Sequence, residues 1–223
     1  MKLYTCLSSE HYRLEIADLL RLNDAPSASK IKGEQVVLLV GNQKKGISDS
    51  LYQGREYLLD LQKKGQKDVL VRVAFHRTRP WWDILAPFCK PYRKHFFASG
   101  TNIYHIDPFD IRAMGLERQI RTKENSYNCV KWNLPQAQRE KQYNELKASL
   151  EQKGYDDAYP LEIMLCRSWG AKDSLQQGHH RMMFCIEMGI HRCAIKFVNV
   201  SHAPRWSVDF LRRHYHKKGA KNG

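Results

Sequence analysis

The chain has 223 residues, 42% of them hydrophobic, enough for one large or two small packed domains, and this excludes global disorder. Its 37 Lys and Arg against 23 Asp and Glu give a formal charge of +14, so partners are expected among polyanions: nucleic acid, an anionic membrane face or phosphorylated molecules. No apolar run approaches the ~20 residues of a membrane span, the N-terminus turns polar too soon for a signal peptide, and the six cysteines lack CxxC spacing. A cytoplasmic protein with reduced thiols is the expectation.

Along the chain, Gln35-Val36-Val37-Leu38-Leu39-Val40 is a continuous apolar, β-branched run, as in a strand covered on both faces. Ile47, Leu51, Leu58 and Leu61 recur near helical spacing up to Gly65, and Asp68 to Phe75 is a second strong strand. Strand, helix, strand predicts a parallel βαβ unit. The loop Gly41 to Gly46 is superficially similar to a P-loop, but Ile47 stands where that motif needs lysine. A plain βα turn is favoured over a phosphate role for Lys44 or Lys45.

The stretch from His76 to Phe97 mixes cations with rings. Arg77, Arg79, Arg93 and Lys94 are candidate anion contacts, whereas Trp81, Phe96 and Phe97 are assigned to packing. Pro80, Pro87 and Pro91 break regular structure and mark a connection, placing a boundary near residue 100. The polar segment Arg112 to Trp132, with Arg118, Arg121 and Lys123 clustered, has no spacing that identifies chemistry.

Tyr143, Leu146 and Leu150 share one helical face, and Gly154 stands in the helix-ending position. Leu161, Ile163 and Leu165 alternate as a strand does. Gln176-Gln177-Gly178-His179-His180-Arg181 then leads into a helical run to Met188, Gly189 marks a stop, and Ala194 to Val200 is another β-rich run. The last ten residues, His214 to Gly223, read as a basic tail.

A glycine, two imidazoles and a guanidinium where a helix starts put backbone N–H groups, a positive dipole end and several donors in one place, an arrangement suited to phosphate. The same glycine is also ordinary turn punctuation, and histidines often stand at helix starts without a ligand. Cys185 and Cys193 flank this helix, near His179, His180 and His191, but close-spaced ligand pairs are missing. No metal site is expected, and these cysteines read as small buried hydrophobes.

The order helix, Gly154, Tyr159-Pro160-Leu161-Glu162-Ile163 strand, Gly178-His179-His180-Arg181 turn, helix, Gly189, strand resembles the ParB/sulfiredoxin superfamily over roughly residues 100–200. The span opens with a strand and turn at Asn102 to Ile111. The resemblance implies a nucleotide-binding domain over residues 101–203, after an N-terminal α/β region at 1–100 and before a basic helix and tail at 204–223. The expected fold class is therefore α/β (α+β). Gly178, His179, His180 and Arg181 would hold the phosphates of ATP or another nucleotide, alone or with Mg2+, and Arg181 would be the main ligand. Sulfiredoxins carry a reactive cysteine directly after the glycine; His179 stands there, so sulfinic-acid reduction is not implied.

The family contains nucleotide-gated DNA clamps as well as nucleotide-dependent enzymes, a kinase for a free amino acid among them. The resemblance accordingly implies an NTP-dependent phosphotransferase or hydrolase acting on a phosphate-bearing or phosphate-accepting small molecule. The alternative is a DNA-binding protein with nucleotide as a switch, drawn to nucleic acid by its basic surface. No helix-turn-helix pattern follows Val198, which favours the enzyme. Phosphoryl transfer needs positioning and charge neutralisation plus a general base, and Glu162 and Glu187 are the nearest carboxylates in sequence.

Overall fold

The structure, a computed structural model, describes residues 3–25, 31–78, 93–117, 120–127, 135–165 and 172–204. The proline-rich stretch between residues 79 and 92 and the basic tail lie outside the described residues. Two mixed sheets and six helices make up the described part, the α+β class expected.

The chain opens on β1 (Leu3–Glu15). Tyr12, Leu14 and Ile16 are buried while His11 and Arg13 are exposed, the period of two of a strand lying on a core. Helix α1 (Ile16–Leu20) and the short β2 (Asn23–Asp24) follow. Strand β3 (Val37–Val40) is buried at Val37, Leu38 and Val40, and it pairs in parallel with β5 (Asp68–Thr78), as the βαβ reading predicts.

The connection differs from the expectation. Ile47 is exposed, and Leu51 belongs to a strand, β4 (Ser50–Gln53), that turns back antiparallel to β3; helix α2 (Arg55–Lys63) starts only after Gly54. Leu58 and Leu61 are its buried face. Lys44 and Lys45 sit exposed on a single 3₁₀ turn, a plain loop with no cradle. The first sheet is ordered β1-β5-β3-β4-β2.

The second sheet starts with β6 (Arg93–Ser99) and β7 (Tyr104–Ile106). The turn expected after this strand is instead helix α3 (Pro108–Ala113), with Asp107 accepting from the Phe109 N–H at 2.9 Å and Pro108 in the first turn. After α4 (Lys123–Tyr127) comes α5 (Gln136–Lys153), which stops at Gly154. Then follow β8 (Leu161–Leu165), β9 (Ser174–Gln177), α6 (His179–Glu187) and β10 (Cys193–Pro204). Strand β10 pairs in parallel with β8 and antiparallel with both β6 and β7.

The sheets divide the chain between Thr78 and Arg93, yet their apolar side chains form one continuous cluster. Tyr12 of β1 meets Phe197 of β10 edge to face at 5.0 Å between ring centroids, and Tyr104 meets the same ring at 5.7 Å. A buried carboxylate fastens the junction. Asp49 accepts from the backbone N–H groups of Gly41, Thr101 and Asn102 and from the Tyr104 hydroxyl, at 2.8 to 3.1 Å. With four donors around it, the charge is satisfied inside the fold.

Candidate functional site

Helix α6 begins where β9 ends, and Gly178 makes that corner possible. Its φ of 90° lies in the left-handed region, and a Cβ there would run into the Leu161 side chain and backbone of β8. No side chain caps the helix. The N-terminus opens onto a cavity of about 530 Å³ lined by Arg121, Leu146, Gln176, Gln177, Gly178, His179, His180 and Arg181. That volume falls within the range of small-molecule sites.

All four residues of the Gly-His-His-Arg turn thus reach one cavity. Arg121, from the polar segment without identifiable spacing, joins them there. Arg181 is half-buried and donates a long hydrogen bond, 3.4 Å, from Nη1 to the Pro160 carbonyl oxygen. His180 packs edge-on to Tyr143 of α5 with ring centroids 6.3 Å apart, and Tyr143 in turn meets Phe184 at 4.8 Å. Its Nε2 is sealed from solvent with no hydrogen-bond partner among the described residues. Burial, and secondarily the Arg121 guanidinium, hold this imidazole below its ordinary pKa. His180 is therefore a neutral, packed part of the wall.

The two carboxylates proposed as general bases lie elsewhere. Glu162 is on β8, in register with Gln177 on one side and Lys196 on the other, and it does not line the cavity. Glu187 is exposed at the far end of α6, about 12 Å along the axis from His179 at 1.5 Å per residue. Among the described residues no carboxylate lines the cavity. A phosphate ligand fits this donor set, and any Mg2+ would arrive on the ligand's own phosphates.

Cys185 and Cys193 are buried free thiols, and burial pushes the Cys185 thiol up to about 11. His191 is exposed, bonded through Nδ1 to Asp107 at 2.9 Å and stacked on Phe109, away from the motif histidines. The burial of Cys185 and Cys193 fits their reading as small hydrophobes.

A cluster that sequence reasoning missed lies at the start of β7. His105, nearly buried, has Nδ1 at 2.9 Å from Asp18 Oδ2 and Nε2 at 2.9 Å from Asp157 Oδ2. Its backbone N–H also donates to Asp18, at 2.8 Å. Both ring nitrogens face carboxylate oxygens, so the imidazole is held from both sides. Arg192 forks onto Glu15 at 2.7 and 3.3 Å and approaches Asp157 at 3.6 Å, while Arg21 lies 3.5 Å from Asp18. Glu15, Asp18 and His105 offer ligand-type atoms within 4.8 Å of one another. Arg21 and Arg192 lie against the carboxylates of Asp18, Glu15 and Asp157, so the cluster is a network of paired charges around the imidazole. Its signal in the sequence is a titratable residue between Tyr104 and Ile106, where the pattern is otherwise apolar.

Comparison with protein-family models, curated proteins and solved structures returns no match. The cavity must be read from its own chemistry.

Proposed function

We propose that this chain binds a nucleotide or a related polyphosphate, with the ligand's phosphates at the N-terminus of α6. One observation carries the reading: the cavity of about 530 Å³ gathers Arg121, His179, His180 and Arg181 around an uncapped helix N-terminus. The dipole end favours negative charge there, and the guanidinium groups match phosphate oxygens. Elements α5, β8, α6 and β10, with Gly154, Gly178 and Gly189, follow the order on which the ParB/sulfiredoxin resemblance rests, with β9 added before Gly178.

An NTP-dependent phosphotransferase or hydrolase is the fuller form of this reading. It requires a general base, and neither Glu162 nor Glu187 lines the cavity. Binding is therefore the part that the geometry supports best. The DNA-binding alternative draws on the formal charge of +14 and on the resemblance to nucleotide-gated DNA clamps.

The test is thermal unfolding of the protein with each nucleoside di- and triphosphate and with inorganic pyrophosphate, in the presence and absence of Mg2+. A ligand at about a hundred times its Kd should add about 2.7 kcal/mol to stability. Failure of every one of them to raise Tm would overturn the reading.

A further inference from the structure

The turn between α5 and β8 joins two features that lie on opposite sides of it. Asp157, within the turn, holds its Oδ2 2.9 Å from His105 Nε2. Pro160, at its end, presents the carbonyl oxygen to which Arg181 donates at 3.4 Å. The turn is also tied at its middle: the Tyr155 hydroxyl lies 2.9 Å from the Tyr159 carbonyl oxygen and 3.1 Å from that of Ala194 on β10. Thus the side chain reaching the cavity rests on a turn whose other face is held by the buried imidazole of β7. That imidazole is fixed in turn by Asp18 of α1.

We infer that His105 and Asp157 are positioning residues for the anion site, acting by holding the 155–160 turn against which Arg181 is set. The inference rests on the proposed function, since it assigns the role through Arg181. Asp157 lies at the open end of the network, with its side chain 49% exposed, whereas Asp18 is 2% exposed and His105 9%. Removing the Asp157 carboxylate therefore loosens the turn while leaving the buried half of the clamp, Asp18 with His105, in place. The groups facing the His105 ring are Asp18, Asp157 and Glu15, and Arg192 and Arg21 neutralise them from the turn before β10 and from the end of α1.

The experiment compares the full chain with Asp157→Ala, Asp157→Asn and Arg181→Ala. Pyrophosphate affinity is measured by calorimetry, and amide hydrogen exchange over residues 155–160 is measured without ligand. Asp157→Ala should weaken pyrophosphate binding about threefold to tenfold, the range for coupling through a packed element, and should quicken exchange across the turn. Asp157→Asn keeps a hydrogen-bonding group, acceptor or donor, against His105 Nε2 and should restore most of the affinity, which a general loss of stability would not explain. Wild-type affinity in Asp157→Ala, with Arg181→Ala impaired, would overturn the positioning role and leave the anion site standing. No pyrophosphate binding by the wild type would overturn the anion site, and the role assigned to His105 and Asp157 with it.

Discussion

Gly178 and Leu161 are packed so closely that the Leu161 side chain occupies the space a Cβ on the glycine would need. The glycine in the phosphate-like motif is thus demanded by the fold before any ligand is considered.

It follows that Gly178→Ala should destabilise the protein with no ligand present. The left-handed φ of 90° and the collision with Leu161 act together, and the combined cost should be about 2 kcal/mol or more. Urea unfolding of the free protein checks this, and an unchanged midpoint would contradict the packing described.

Arg181→Ala should behave in the opposite way. The side chain is half-buried and its described hydrogen bond is long, so its loss should change stability by no more than about 0.5 kcal/mol. Affinity for nucleotide or pyrophosphate should fall sharply, because a planar donor fork is lost from the cavity. Calorimetric titration beside a melting curve separates the two effects; a variant that fails to fold would make Arg181 structural.

His180 gives a pH dependence whose sign can be worked out. Its imidazole is held below the ordinary value of 6.5 in the folded state, by burial first and Arg121 second. The unfolded chain therefore takes up the proton more readily. This contribution to stability is complete above the unfolded pKa and is lost as pH falls below it. Unfolding midpoints measured between about pH 8 and pH 5 should decline towards the acid end, and His180→Gln should flatten part of that decline. An identical slope in the variant would remove His180 from the account.

Asp49 should be among the costliest positions. Asp49→Ala leaves the N–H groups of Gly41, Thr101 and Asn102 and the Tyr104 hydroxyl without their acceptor. The penalty should be about 3 kcal/mol or more, since several buried donors lose their partner at once. Combining it with Tyr104→Phe should cost less than the sum of the single changes, as both remove the same hydrogen bond.

The parts of this fold legible in the sequence are those whose periodicity runs long or is bounded by glycine. Helix α5 with its Gly154 stop, the alternating β8, the Gly178 corner and the Gly189 stop all stand where the pattern puts them. Strand β1 is equally periodic at Tyr12 and Leu14, but the polar residues beside them and the short helix that starts at Ile16 obscure it. Ile47 and Leu51 matched a helical spacing by coincidence, because a four-residue strand holds too few positions to declare its period. The cavity is half legible. Its glycine, histidines and Arg181 are contiguous in sequence, whereas Arg121 is brought there only by tertiary packing. The His105 network joins residues 87 and 52 positions apart, and no local pattern reports such a contact.

Strand β10 is the last strand of its sheet in chain order. It pairs with β6, β7 and β8, yet it is made after all of them. Until residues 193–204 are available, those strands lack their common partner, with apolar faces such as Leu161, Ile163 and Leu165 uncovered. Pairings of such long sequence separation close slowly. The interval before β10 docks is thus when this chain is most exposed to self-association, and a chaperone would have most to do then.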